Sequence, residues 1–195
     1  MPTLQNFGVP LSETEGRRGI LQPKPKHRFR VRVFNFGLVA RSIELTQQVT
    51  TVSRPTRQQS PVQVHSYNSI AYYGGKTEWN SVELTVRDDV TNSVARLVAH
   101  QEQKQMNHFQ QTTPLAGTNY KFGMMIETLD GGNTGVLDSW ELEGCFLESV
   151  NYDTFDYSSA EPMTIQMTIR YDNATVIEDD IMPFATPLLQ DGFQV

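Results

Sequence analysis

Residues 163–171 alternate without a break: Met163, Ile165, Met167, Ile169 and Tyr171 face one way, and Thr164, Gln166, Thr168 and Arg170 the other. Extended backbone turns successive side chains to opposite faces, so such a run predicts a strand with one buried and one wet face. The same period recurs along the chain. Phe29, Val31 and Val33 oppose Arg28, Arg30 and Arg32, and Tyr120, Phe122, Met124 and Ile126 share a face. Trp79, Val82, Leu84 and Val86 oppose Glu83, Thr85 and Arg87, and within 136–150 Trp140, Leu142 and Phe146 oppose Glu141, Glu143 and Leu147. The chain is therefore mainly β, and its strands carry an unusual amount of polar surface.

The remaining segments divide into helix, turns and arms. Val90, Val94, Leu97, Val98, Gln101 and Gln105 recur at helical spacing behind the capping residues Asp88, Asp89, Thr91 and Asn92, which predicts one amphipathic helix over about 90–109. Residues 41–52, rich in Thr, Val and Ile, read as a further strand with Ile43, Leu45, Gln47, Val49 and Thr51 on one face. The stretch 53–61 holds two prolines and no valine, leucine or aromatic residue, so it is expected to protrude as a loop. Alternation resumes over 62–69, Gly74-Gly75 marks a turn, and Asp130-Gly131-Gly132 marks a hairpin. Residues 1–26, with four prolines and three glycines, read as an extended N-terminal arm, 27–173 as the folded domain, and 174–195 as an acidic C-terminal extension.

Charge is split along the chain. Residues 1–126 carry 15 basic and 8 acidic side chains, whereas 127–195 carry one base, Arg170, and 14 acids, for a net charge of -6. Folded, such a chain can present a basic face to the acidic face of another copy, with Arg28, Arg30, Arg32, Glu178, Asp179 and Asp180 as the charged inter-subunit candidates. A dedicated nucleic-acid binder would carry the opposite net charge. No apolar run nears the roughly 20 residues that span a bilayer, and the first twenty residues hold no signal-peptide core, so a cytosolic, soluble chain without membrane contact is expected.

Chemistry finds few footholds. Cys145 is the only cysteine, so the chain has no internal disulfide and no thiolate cluster for a metal; a small buried hydrophobe is expected there. Phosphate-loop, dinucleotide and nucleophile-elbow signatures are absent, which leaves no catalytic residue and no cofactor to name. Asp130, Asp138 and Glu141 fit positions 1, 9 and 12 of a calcium loop, but Gly132 and Thr134 stand where oxygen ligands belong and the flanks alternate like strands, so a hairpin turn is the better reading. Among Glu141, Glu143 and Glu148, the first two share a strand face at i, i+2, an arrangement for a hydrolase carboxylate pair, though a solvated acidic face accounts for them. Trp79, Tyr72 and Tyr73 would serve a carbohydrate-binding sandwich as a stacking platform.

Two passages resemble one family. Gly75, Trp79, Val82, Leu84, Val86 and the Asp88-Asp89 pair, followed by the helix, are similar to a passage of the tail tube proteins of T-even-type contractile-tailed bacteriophages. The block from Trp140 to Asp172, with its Gly144 bend and its final strand ending in Tyr171, resembles that family's closing strands. The resemblance implies a small β-barrel or sandwich of two packed antiparallel sheets with one helix. It implies hexameric rings that stack into a tube inside a contractile sheath, with genomic DNA and a tape measure protein in the bore and with sheath, baseplate and tail terminator proteins as partners. Residues Arg54, Arg57, Gln58 and Gln59 would lie in the inter-ring contact loop, and the protein would reside in the virion tail. The long N- and C-terminal extensions leave room for a tube-initiating or terminating role, or for a related injection machine.

Overall fold

The computed structural model describes residues 23–37, 42–132 and 135–177. Among them nine strands and two α-helices follow in chain order, with a short 3-10 helix at Gly117–Asn119: β1 (Phe29–Phe34), α1 (Ser42–Gln48), β2 (Val49–Val52), β3 (Thr56–Ser66), β4 (Ser69–Asn80), β5 (Val82–Arg87), α2 (Ser93–Gln105), β6 (Phe122–Leu129), β7 (Val136–Asn151), β8 (Thr164–Arg170) and β9 (Asn173–Ile177). Seven strands form one antiparallel sheet in the order β1-β6-β7-β8-β5-β2, with β9 also on β7, and β3 pairs only with β4. Among the described residues no helix is long and apolar enough to cross a membrane.

The sheet doubles over because β7 serves two layers. Its first half pairs with β6 and β9, and its second half with β8. One layer is thus β1-β6-β7-β9 and the other β2-β5-β8-β7, and the core between them takes Val31, Met124 and Leu142 from the first and Leu84, Met167 and Ile169 from the second. The predicted packed antiparallel sheets are observed. The bend lies at Gly144, whose φ of 67° is left-handed and where a side chain would run into the Asp172 carboxylate. Burial slips phase there: Leu142 and Cys145 are buried, and then Leu147 rather than Phe146. The expected outward position of Leu147 is therefore corrected, since a bend rotates every side chain beyond it. Cys145 is buried as expected, and burial pushes its thiol up to about 12.

Helix α2 is shorter than 90–109 and is set from outside. The Asp89 carboxylate accepts the N–H groups of Ser93 at 2.9 Å and Val94 at 3.3 Å, supplying acceptors for the donors that a helix leaves free at its start. Val90 is excluded from the apolar stripe and fully exposed, and extended backbone at Met106 ends the helix. The inward face is Val94, Leu97, Val98 and Gln101. Gln101 is fully buried: its Oε1 accepts the Gly37 N–H at 3.0 Å and its amide donates to the Tyr120 carbonyl at 2.6 Å. One turn on, Gln105 accepts the Leu147 N–H at 2.8 Å and donates to the Leu147 carbonyl at 2.9 Å, acting as a neighbouring strand for β7.

Three further expectations change. Residues 42–48 are helical, and only 49–52 extended; Leu45 and Val49 both reach the core, a four-residue spacing that a short segment satisfies equally well as helix. Gly74-Gly75 is no turn. The chain reverses at Tyr67-Asn68, and the glycines sit where the β3–β4 register slips between Gln59 and Pro61, leaving one extra residue in β4. Finally, Asn173–Ile177 pairs with β7 from Glu143 to Ser139, so the sheet continues past the boundary expected at 173. Replacing Gln101 by leucine, which keeps the bulk and strips both hydrogen bonds, is expected to lower the urea unfolding free energy by about 2–6 kcal/mol, about 1–3 for each of the two orphaned backbone groups. Gln105→Leu, at a half-exposed site, should cost less than half as much.

Candidate assembly surfaces

Strands β3 and β4 form a ribbon of 11 and 12 residues that stands clear of the core, with every residue of β3 exposed. The sequence expectation of a protruding 53–61 loop is thus met in position and corrected in form, because backbone pairing with β4 extends even an all-polar stretch. Cross-strand register puts Val62, Val64, Ala71 and Tyr73 on one face and Gln63, His65, Ile70 and Tyr72 on the other. Tyr67 at the tip is fully exposed. A free two-stranded ribbon is marginal in water, and this one also exposes Val62, Val64, Ile70, Tyr72 and Tyr73.

The ribbon's root is fixed to the core. Trp79 packs on Tyr171 with ring centroids 5.9 Å apart, and Arg170 reaches Glu78 at 3.6 Å. Trp79 is therefore a root residue and Tyr72 and Tyr73 lie on opposite ribbon faces, so the three do not form the stacking platform considered from sequence. Of the expected contact residues, Arg57, Gln58 and Gln59 lie on β3 and are exposed, and Gln59 donates to the Gly75 carbonyl at 3.1 Å. Arg54 instead turns back to the core end, donating to Thr128 Oγ1 at 2.9 Å.

The basic stripe of β1 is engaged within the chain. Arg30 and Arg32 both reach the buried Glu127 carboxylate, at 2.5 and 3.2 Å, and Arg28 donates to the Asp130 carbonyl at 2.7 Å. Glu127 was not legible from sequence as their partner, because only the register Arg30 to Glu127 brings it there. Glu178, Asp179 and Asp180 lie outside the described residues. The calcium-loop residues are separated: Asp138 pairs with Thr128 and Glu141 with Met125, on opposite faces of the sheet, while Asp130 accepts the Gly132 N–H at 2.6 Å inside a hairpin flanked by strands. Glu141 and Glu143 border a depression of about 360 Å³ with Phe34, Lys121 and Gly144.

Asp138 holds the arm-proximal segment. Lys24 donates to its carboxylate at 2.9 Å. Desolvation pushes its carboxyl up, but the Thr128 hydroxyl beside it and the Lys24 and Arg54 charges outweigh this and hold it below its ordinary value of 3.8. Among the described residues, the outer side of β1 and the outer side of β9 have no strand partner, so that layer ends in two open edges.

No protein-family model matches this sequence, and no curated protein matches it significantly. Among solved structures the fold is similar to a chain in the tube terminating cap of the anti-feeding prophage, with a TM-score of 0.61, 18% identity, and coverage of 82% of this chain and 94% of the other. A chain in the extended sheath-tube complex of the PVC extracellular contractile injection system aligns with a TM-score of 0.59 and 14% identity over 80% of this chain and 92% of the other. A chain in that system's sheath/tube terminator aligns at 0.58 and 14%, over 82% and 99%. The chain shares their fold.

A depressed carboxyl stabilises the fold above its unfolded value and ceases to do so as pH falls through the folded one. Asp138→Asn should therefore flatten the loss of stability as pH falls below about 4, relative to the unsubstituted chain, as followed by thermal unfolding. Lys24→Ala should cost at most about 1 kcal/mol.

Proposed function

We propose that this protein is a non-catalytic structural subunit that assembles with copies of itself into stacked rings, forming the tube of a contractile tail or injection machine. The observation that carries the reading is the coincidence of a tube-system fold with surfaces that are incomplete in one copy. Among the described residues the β1-β6-β7-β9 layer has two different open edges, β1 and β9. Two unlike edges joined copy to copy give a heterologous contact, which closes into a ring when the rotation permits, and closure removes both edges at once. Six copies per ring, as the tail-tube resemblance implies, are the symmetry to test. The outward face of that layer, with Arg30, Arg32, Glu127, Ser139 and Glu141, then lines a polar bore through which genomic DNA or another cargo passes, with a sheath outside.

In this reading the β3–β4 ribbon reaches from one ring to the next, and covering Val62, Val64 and Tyr73 contributes about 1.5–3 kcal/mol for each side chain fully buried. A tube-initiating or terminating role is the second reading, favoured by likeness to chains of a tube cap and a tube terminator. The phage tail tube itself, in the virion, is the version that the T-even resemblance supports.

Electron microscopy of the purified full chain, concentrated alone, should show rings with a central pore, and stacks of them for a main tube subunit. A particle that stays monomeric by light scattering, alone and with a partner sheath protein, overturns the reading. Val62→Ser with Val64→Ser and Tyr73→Ser should leave ring diameter unchanged and shorten the stacks, since these residues lie far from β1 and β9.

A further inference from the structure

The β2-β5-β8-β7 layer has two poles. At one, Val82, Ile169 and Leu147 lie level, and the ribbon departs next to them through residues 53–55 and Ser81. At the other, Arg87, Thr164 and Asn151 end their strands, and a six-residue strand sets the poles about 20 Å apart. The connections 88–92 and 152–163 meet at this second pole, where the Asp88 N–H donates to the Met163 carbonyl at 2.9 Å.

The connection 152–163 contains no helix or strand, and every residue in it is exposed. Its backbone is nonetheless held in shape by its own side chains. The Asp153 carboxylate accepts the N–H groups of Thr154 at 2.8 Å and Thr164 at 3.1 Å; Asp156 accepts the Ser158 N–H at 2.9 Å; Ser159 accepts the Glu161 N–H at 3.2 Å. Phe155 and Tyr157 project from this frame at 85% and 111% exposure, and Val90, in the connection that meets this one at Asp88, is fully exposed as well. An ordered loop that turns its aromatic rings outward is an apolar surface without a cover.

Charge says what covers it. Among the described residues the pole carries Asp88, Asp89, Asp153, Asp156 and Glu161, against Arg87 at its rim and the exposed Arg96 in the first turn of α2. Hydrogen bonds hold the Asp153 and Asp156 carboxyls below the ordinary range and that of Asp89 at about 2, so these stay ionised. The ribbon has the opposite sign: from Thr56 to Thr77 it carries Arg57, Lys76 and His65 and no carboxylate, and Glu78 at its root is taken by Arg170. Its apolar residues Val62, Val64, Ile70, Tyr72 and Tyr73 are 37–63% exposed, and Tyr67 at the tip is fully so.

We propose that the acidic aromatic pole is the receptor for the β3–β4 ribbon of a second copy of this chain. Val90, Phe155 and Tyr157 pack on the ribbon's apolar side chains while Arg57 and Lys76 face the carboxylates. Complementary patches at opposite ends of one molecule propagate copy upon copy, so the contact sets an axial stack. This rests on the reading of the chain as a self-assembling subunit and adds to it both members of the stacking contact.

The test uses disulfide trapping, for which the buried Cys145 is a silent background. Two full-length variants are prepared, one with Tyr157→Cys and one with a ribbon cysteine, made in turn as Val64→Cys, Tyr67→Cys or Tyr72→Cys. Mixed and mildly oxidised, at least one pairing should give a heterodisulfide at about tenfold or more over the dimers of either variant alone. Asp156→Lys with Glu161→Lys in the Tyr157→Cys chain should reduce that yield several-fold, and Arg57→Glu with Lys76→Glu in the ribbon partner should restore it. No excess of heterodisulfide for any ribbon position overturns the proposal, as does a yield indifferent to both charge reversals. Micrographs of the same samples keep the two readings apart. Stacked rings without the heterodisulfide retain the tube and discard this contact; the heterodisulfide without rings does the reverse.

Discussion

The fold depends on β7 being one strand with two addresses. Sixteen residues of unbent strand would span about 50 Å, far more than a single layer of this core can cover. The left-handed backbone at Gly144 turns the strand over, and β8 and β9 follow the same turn on its flank, where the Asp172 N–H donates to the Glu143 carbonyl at 3.0 Å. Because β6 and β9 hold the first half and β8 the second, this single bend determines which strands face each other across the core. It also decides which edges are left open. A side chain at Gly144 would displace Asp172 and with it the Lys121–Asp172 ion pair at 2.5 Å, so position 144 couples the bend to its own flank.

Edges are treated unequally as a result. The second half of β7 lacks a strand on one side, and Gln105 fills that place with a side-chain amide that donates and accepts as a peptide group would. Gln101 does the same for Gly37 and Tyr120 deeper in the core. Helix α2 thus closes one backbone edge from inside the chain, while β1 and β9 keep theirs open. Two glutamines thus satisfy interior backbone, whereas among the described residues the outer sides of β1 and β9 have no strand partner.

The molecule is also polar along its length. The ribbon is anchored by Trp79 on Tyr171 and by Glu78 with Arg170, so it leaves the core in a set direction, and the acidic connections lie at the far end of the same strands. The basic stripe of β1 contributes less to this polarity than its charge suggests, because Arg30 and Arg32 are already held by Glu127.

Strands β1, β5, β6, β7 and β8, helix α2 and the Asp130-Gly131-Gly132 hairpin were legible in the sequence because each is written in local terms, an alternation, a 3.6-residue stripe or a turn dipeptide. So was the protrusion after residue 53, since a stretch without apolar side chains has no means of entering a core. What residues 42–48 become was not legible, because Leu45 and Val49 suit helix and strand alike until β1 and α2 are in place. The pairing of β3 with β4, the reversal at Tyr67-Asn68 and the strand at Asn173–Ile177 likewise rest on backbone partners distant in the chain. Glu127 as the shared acid of two arginines, and the poles that set ribbon and acidic loop apart, are matters of register and of the bend at Gly144. By itself the sequence determined which residues must turn inward; only the tertiary structure decided which strand each one meets, because hydrogen-bonded register is a relation between segments and leaves no periodic trace in either.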